Sequence, residues 1–421
     1  MRNKILNTNR FDGGCSIAHH TTYGTNQKYN SLKSQRSNPQ SKINKMPLLE
    51  IGDPAPWFSI AATNNPLFHF STVGGRRVVL FFFASAAFEQ IQVILKSFQE
   101  LSEEFQSLQV PQFGVSVDPA DKEQNRPTTI APSFIFFWDF DKKLSQQYGV
   151  SRDVEQNGVA GVHYAPQTFV LNENLQVINI FPMGEAHQHA QQVFDFLKSL
   201  PPLEEGRSAT PHAPVLVIPN VLDKASCSGL IDMYKADGGS PSGFMRQVGG
   251  KTVGLYDDNF KKRSDFFIED TKLQQQLNTI ILRRVRPEVE KAFQFTITRF
   301  ERYLVGCYDA QSGGYFRPHR DNTSKGTLHR RFAMTLNLNV GEYKGGFLRF
   351  PEYAPHGYKG DSGTAIIFSC SLLHEATPVI RGQRFALLSF FYGDEDALVR
   401  EANVKYLADD SDSTIAETRD G

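Results

Sequence analysis

The stretch PPLEEGRSATPHAP, Pro201 to Pro214, divides a chain of 421 residues into two halves of different texture. Pro, Gly, Ser and charge crowd together there between two apolar runs, which is the composition of a linker. A chain of this length exceeds one ordinary core, so more than one folded unit is expected. Before the linker, from about Leu48 to Leu200, strand and helix patterns alternate. RRVVLFFFAS reads as a buried strand, and FEQIQVILKSFQELSEEF has helical apolar spacing. VPQFGVSVDPAD is a second strand ending in a turn, and QTFVLNENLQVINIF is a hairpin around Asn172 to Asn174. A β-α-β start followed by a hairpin predicts an α/β thioredoxin-like fold.

Beyond the linker, DKASCSGLIDMYKA and DTKLQQQLNTIILRRVRPEVEKAF are amphipathic helices. From Thr298 the character changes to short strands punctuated by Gly and Pro: FERYLVGCY, RRFAMTLNLNV, GGFLRFPEY, GTAIIFSC and RFALLSFFYG. This predicts a second, α+β unit built on a double-stranded β-helix, or jelly roll, with flanking helices. The expected divisions are a polar tail over 1–46, a thioredoxin-like domain over 47–200, a linker over 201–213, a second domain over 214–395 and a C-terminal tail over 396–421. The first segment has a single acid, Asp12, and no apolar core of a secretory signal; a disordered tail, or a start at Met46, is the expectation.

Charge narrows the partners. Lys plus Arg and Asp plus Glu number 45 each, and the pI is about 7.2, which argues against a broad basic surface for nucleic acid. The basic cluster ILRRVRPEVEK is expected to be a solvated helix face. The longest apolar run, VVLFFFASAAF, is far short of the ~20 residues a membrane-spanning helix needs. The four cysteines, Cys15, Cys227, Cys307 and Cys370, are scattered, so neither a disulfide framework nor a zinc ribbon is expected, and the cytoplasm is the expected compartment.

The segment YFRPHRDNTSKG places His319 and Asp321 one residue apart. On an extended strand both would project from one side, as half of a metal site or as a surface polar pair. Downstream, GTAIIFSCSLLHEATPVIRGQRFALLSFFYG supplies His374 just past a strand, then a turn and Arg384. A hairpin is expected to bring Arg384 beside the strand that precedes His374. Two histidines and a carboxylate can occupy one face of an octahedral metal, the geometry of non-haem Fe(II) oxygenases. The open positions take a 2-oxo acid and O2, and an arginine fork suits the acid's distal carboxylate.

The order H-x-D, a distal His and an Arg ten residues later resembles the Fe(II)/2-oxoglutarate dioxygenases of the prolyl 4-hydroxylase type. VGCYDAQSGGYFRPHRDN, LNLNVGEYKGGFLRFPEY and FSCSLLHEATPVIRGQRFAL match that family's style over roughly 214–395. The resemblance implies that His319, Asp321 and His374 bind Fe(II) and that Arg384 binds the C5 carboxylate of 2-oxoglutarate. Tyr308 sits where the family places a tyrosine on the cosubstrate. Asn337 falls near a second C5-carboxylate contact, and Thr335, two residues earlier on the same strand face, is an equal candidate. The implied reaction consumes 2-oxoglutarate and O2, releases succinate and CO2, and hydroxylates a C–H bond of a small-molecule or peptide or protein substrate, with ascorbate as a reductant. The carboxylate of Asp321 favours hydroxylation over halogenation. Neither nucleic acid nor membrane is an expected partner, and the oligomeric state is left open. His329 and His356 are expected at the surface, His187 and His189 cannot share a helical face, and Cys307 and Cys370 are expected to pack as small apolar groups.

The first half resembles the peroxiredoxins of the alkyl hydroperoxide reductase/thiol-specific antioxidant family, through IGDPAPWFSI, RRVVLFFFASAAF, FGVSVDPAD, KLSQQYGV and YAPQTFVLN. Pro166 sits where thioredoxin folds carry a cis-proline. A thiol peroxidase needs a low-pKa cysteine at the helix start, yet ASAAFEQIQ, Ala84 to Gln92, has none, and no cysteine lies between 48 and 200. Peroxidase chemistry is therefore excluded for this half unless a distant thiol is supplied, and a docking or scaffolding role is expected. Two alternatives stand beside the oxygenase: a redox or thiol peroxidase-like protein, against which the missing cysteine weighs, and a non-catalytic binding protein, against which the intact triad and arginine weigh.

Overall fold

The computed structural model describes residues 48–408, apart from 157, 158, 204 and 207. The expected N-terminal tail, Cys15 and residues 409–421 lie outside the described residues.

In the first unit, strand β1 (Val78–Ala84) is apolar on every residue because both of its faces are covered. Val79, Phe81 and Phe83 face one core, while Val78, Leu80 and Phe82 face another on the opposite side. β1 pairs in parallel with β2 (Gln112–Ser116), which pairs in parallel with β3 (Ile135–Trp138). β4 (Gln167–Leu171) and β5 (Val177–Pro182) continue the sheet antiparallel, giving the order β3-β2-β1-β4-β5. Helices α1 (Glu89–Glu100) and α2 (Ala186–Ser199) share the first core through Ile91, Ile94, Phe98, Val193 and Leu197. This is the expected thioredoxin-like fold. The described peptide bonds are all trans, so the residue before Pro166 does not carry the expected cis bond.

His189 on α2 lies in that core at 1% exposure, 2.8 Å from the Thr168 hydroxyl and beside the Phe81 ring. Burial pushes its imidazole down to about 4, so it folds neutral.

The second unit begins with β6 (Leu216–Ile218) and α3 (Lys224–Asp237), whose Asp223 caps the helix by accepting from the Ser226 N–H. A hairpin follows, β7 (Phe244–Val248) with β8 (Lys251–Leu255), then β9 (Lys261–Lys262) and β10 (Ser264–Phe267). Helix α4 (Thr271–Ile280) runs through a π-helical turn at Ile281–Val285 into α5 (Arg286–Phe293). The strands β11 (Leu304–Asp309), β12 (Tyr315–His319), β13 (Phe332–Asn337), β14 (Leu348–Arg349), β15 (Ala365–Ser369), β16 (His374–Ala376) and β17 (Gln383–Tyr392) complete two facing sheets. The larger runs β6-β15-β13-β17-β11-β10, with Ser240–Pro241 at its edge and Arg299–Phe300 against β17. The smaller runs β9-β12-β16-β14, ending at Gly357–Tyr358. Outward residues of the larger sheet, among them Met334, Leu336, Ile367 and Leu387, pack on Leu230, Leu277, Ile281 and Val285 of the helices. Alternation along each strand turns Thr335, Arg384 and Leu388 to the inside. The jelly roll with flanking helices is as expected.

The expected hairpin needs correction. The strand of Arg384 does not lie beside the strand that precedes His374; β13 stands between them, and β17 pairs instead with β13 and β11. The chain changes sheets at His374, so the segment from β15 to β17 is a crossover between layers and not one hairpin. At the C-terminus, α6 (Asp394–Asn403) spans the expected tail boundary at 395. Its buried Asp396 pairs with Arg331 at 2.6 Å and accepts from the Gly393 N–H.

The basic cluster of the long helix is not a solvated face either. The π turn sets Arg283 and Arg284 side by side against the first unit, where both pair with the buried Asp53, Arg284 Nε at 3.0 Å. Arg284 also reaches Glu50 and the Val221 carbonyl. Gln176 donates across the same seam to the Pro219 carbonyl at 2.8 Å. Gly52, at φ +96, allows this approach: a Cβ there would stand 2.3 Å from the Asn220 oxygen.

Two outcomes follow. Asp53→Ala strands two guanidinium groups at a partly buried seam and should lower stability by about 3 kcal/mol; urea unfolding, with proteolysis of the 201–213 segment as a second probe, checks it. The folded value of His189 lies below the 6.5 of a free imidazole, so the unfolded chain takes up the proton first. The stability this group contributes above pH 6.5 is lost as pH falls toward 4. Between pH 7 and pH 5 the wild type should lose about 2 kcal/mol more than His189→Gln, measured by urea titration at both pH values.

Candidate active site

The site forms where the two sheets open. His319 ends β12, and His374 begins β16; the two are register partners on adjacent antiparallel strands. Their rings lie 4.3 Å apart. Asp321 is not on the strand, which stops at His319, but in the turn after it. Its N–H donates to the Cys370 carbonyl at 2.9 Å, and this bond returns the carboxylate to the histidines. Asp321 Oδ1 is 3.5 Å from His319 Nε2, and Oδ2 is 3.3 Å from His374 Nε2. One ligand atom from each of the three residues lies within 4.8 Å of the others, the one such group of His, Cys, Asp or Glu among the described residues.

The second nitrogen of each ring is already committed. Nδ1 of His319 sits 2.7 Å from the Arg317 carbonyl and Nδ1 of His374 sits 3.0 Å from the Leu372 carbonyl. A carbonyl can only accept, so Nδ1 carries a proton in both and Nε2 is the atom each ring can offer to a metal. Burial pushes the His374 imidazole down to about 4, keeping it neutral at ordinary pH. For Asp321 burial acts to raise the pKa, but His374 and His319 outweigh it and hold the carboxyl well below the usual range. Phe316 stacks on His319 at 3.5 Å between ring centres, and Phe368 packs on His374 at 4.6 Å. Two imidazoles and one carboxylate, held by carbonyls and aromatic walls, fit a divalent iron with open positions.

A cavity of about 570 Å³ connects this triad to Arg384, Tyr308 and Thr335. Arg384 is buried, donates to Asn337 Oδ1 at 3.2 Å and stands 5.0 Å from the centre of the Tyr308 ring. No carboxylate lies within ion-pairing distance of it among the described residues, and its buried Nε has no partner. A buried guanidinium without a carboxylate partner at the end of a cavity is a fitting receptor for a carboxylate of an oxo acid. Gly346, at φ +63, leaves room for the arginine; a Cβ there would lie 2.8 Å from its Cδ. Asn337 faces Arg384 and the Lys359 carbonyl and does not line the cavity, whereas Thr335 does. Tyr308 lines the cavity and accepts from Arg263 Nη1 at 3.3 Å.

Other groups escaped the sequence reading. The buried Tyr343 hydroxyl has no partner, and burial pushes its pKa up, with Arg384 opposing from nearby. His329, expected at the surface, is 3% exposed, because its Nε2 meets the buried Glu301 at 2.7 Å. Glu301 also holds Arg330 through two bonds of 2.9 and 3.0 Å, and Arg330 lines the cavity behind Asp321. No local spacing signals this: 28 residues separate Glu301 from His329. His356 is exposed, and Cys307 and Cys370 are buried, as expected.

In the first unit the turn before α1 is closed by carboxylates. Ala86 N–H donates to Asp121 at 2.9 Å, Ser85 Oγ donates to Asp118 at 2.6 Å, and Arg126 pairs with both acids.

Residues 51–180 match the AhpC/TSA family, and residues 302–392 match the 2OG-Fe(II) oxygenase superfamily. A PKHD-type hydroxylase of Nitrobacter winogradskyi is 31% identical over 182 residues, spanning 40% of this chain and 75% of that protein. The chain belongs to the 2OG-Fe(II) oxygenase superfamily. It is an Fe(II)- and 2-oxoglutarate-dependent hydroxylase, with O2 as the second cosubstrate. A second PKHD-type hydroxylase, from Shewanella baltica, is 27% identical over 216 residues, spanning 48% of this oxygenase and 86% of its own length. Among solved structures, the peroxidoxin BcpB of Mycobacterium tuberculosis is 21% identical with a TM-score of 0.33, covering 36% of the oxygenase chain and 99% of its own.

Glu301→Gln would leave Arg330 charged and uncompensated beside the cavity. The expected loss is about 3 kcal/mol or more, to be read from the urea midpoint; an unchanged midpoint would show that the pair contributes nothing.

Proposed function

We propose that His319, Asp321 and His374 hold the iron, that Arg384 receives the distal carboxylate of 2-oxoglutarate, and that a substrate C–H bond is hydroxylated in the same cavity. One observation carries the assignment: two Nε2 atoms and a carboxylate converge within 4.8 Å, with each Nδ1 already satisfied by a carbonyl. With iron, 2-oxoglutarate and O2 bound, the oxo acid leaves as succinate and CO2 and one oxygen atom enters the substrate C–H bond.

The chain's own contribution is positioning. Asp321 stays ionised and His374 stays neutral, so no proton must leave either before the metal binds. Arg384 is oriented from behind by Asn337, which therefore acts through the arginine, while Thr335 and Tyr308 face the space beside it. The apolar walls given by Phe316, Phe368 and Leu388 restrict water around the triad.

The first unit, 47–200, serves as a docking or bracing domain joined by 201–213 to the oxygenase unit that starts at 214. Support comes from the absence of cysteine between 48 and 200 and from the carboxylates that occupy the turn where a thiolate would need free N–H groups. Among the described residues no helix is long and apolar enough to cross a membrane, and the three described cysteines are free and buried, which suits a reducing cytoplasm.

Protein loaded anaerobically with Fe(II) should release succinate slowly from 2-oxoglutarate once O2 is admitted, even without substrate. His319→Ala and Asp321→Ala should fall to background. Arg384→Gln should raise the half-saturating 2-oxoglutarate concentration by about 100-fold, the scale of losing one partner of a buried charge pair; equal half-saturation would place the cosubstrate elsewhere. Peroxide consumption with a dithiol reductant should not exceed the buffer rate.

A further inference from the structure

The oxygenase cavity is lined by basic side chains beyond the arginine that would receive the cosubstrate, among them Lys261 and Arg246. Fe(II), the Asp321 carboxylate and a dianionic oxo acid together are one unit negative, and Arg384 cancels that unit. Arg330 is neutralised by Glu301, and Arg320 by Glu352. On the hairpin side the balance differs. Arg263 binds Asp265 through two bonds of 2.6 and 2.8 Å. Lys261, 5% exposed, donates to Ser242 Oγ at 2.7 Å and to the Gly243 carbonyl at 2.6 Å, and Ser242 donates in turn to the same Asp265. Lys261 and Arg263 thus share one carboxylate beside the cavity.

An ammonium has three N–H donors, and these two bonds use two of them. Lys261 lines the cavity and lies 4.7 Å from the centre of the Phe316 ring, which stacks on His319. It therefore stands one aromatic ring away from the metal triad. Arg246, which lines the same cavity, projects from β7, exposed, 5.7 Å from the Phe244 ring and 5.9 Å from the Phe260 ring. Phe260 in turn meets Phe316 edge-on at 5.6 Å. Neither Lys261 nor Arg246 is in an ion pair among the described residues. Burial, with Arg263 nearby, works against the charged form of Lys261, and an arriving anion would favour it.

We infer that the substrate is anionic: a carboxylate or phosphate group enters beneath the β7–β8 hairpin and is received by Lys261 and Arg246, which hold its C–H bond against the triad. This rests on the reading that the triad holds iron. Lys261 and Arg246 are then specificity-determining residues, and Phe316 sets the distance between the anion and the oxidised carbon.

The test uses the full chain loaded with zinc, which is diamagnetic, and saturated with 2-oxoglutarate. Four probes are titrated by saturation-transfer NMR: phenyl phosphate, benzoate, benzyl alcohol and benzylamine. In wild type the two anions should bind at least about tenfold more tightly than the alcohol, with the amine weakest. Lys261→Met should bring the anions to within about threefold of the alcohol, and Arg246→Gln, at an exposed position, should remove part of the preference. Phosphate ahead of benzoate identifies a phosphorylated substrate, and the reverse order identifies a carboxylate. The inference is overturned if wild type shows no anion preference, if the preference survives both substitutions, or if further 2-oxoglutarate displaces the anions. Succinate formation by Fe(II)-loaded wild type keeps the two levels apart: its absence sinks the iron reading, while its presence without anion preference sinks only the inference drawn here.

Discussion

The pairing of β12 with β16 is the constraint on which the oxygenase site depends. Register opposes His319 to His374 across two antiparallel strands, and one residue of slip would turn one imidazole to the outer face. Each ring is then locked by a carbonyl of its own segment two residues back, which leaves Nε2 as the free atom on both. Asp321 joins them because its N–H bonds the Cys370 carbonyl, at the end of the larger sheet. The site therefore has one anchor in each layer of the jelly roll, and it exists only when the two layers are closed on each other.

The larger sheet reads two surfaces at once. Its inner residues hold Arg384, Thr335 and Tyr308, while its outer residues pack on the α4–α5 helix. That same helix carries Arg283 and Arg284 into the first domain, where Asp53 receives both. The thioredoxin-like domain is thereby clamped to the helix that backs the larger sheet. In the turn before α1 of that domain, Asp118, Asp121 and Arg126 form an ion-paired network.

Much of this was legible along the chain. VVLFFFA announced a doubly covered strand because no position offered a polar face, and H-x-D with a distal His marked three candidate ligands whose atoms lie within 4.8 Å of one another in the structure. Other features were hidden. His329 looked like a loop histidine, but Glu301, far away in sequence, draws it into the core. The Arg-Arg pair looked solvated, because helical periodicity does not reveal a second domain on its outer side. The hairpin expected between His374 and Arg384 was a fair reading of a Pro-Gly turn, yet the chain crosses between sheets there and β13 takes the neighbouring place.

What the amino acids settled alone was chemical inventory and local form: which residues can bind a metal, which helix start lacks a thiol, where strands and helices run. These depend on side-chain type and on periods of 2 and 3.6 residues, which act over a few positions. Folding in three dimensions decided who meets whom: Asp321 with two histidines, Arg384 with Tyr308 and Asn337, Lys261 with Asp265 through a serine, Asp53 with two arginines. Strand order and burial arise from contacts between segments tens to hundreds of residues apart, and no local pattern encodes the energy of such an encounter.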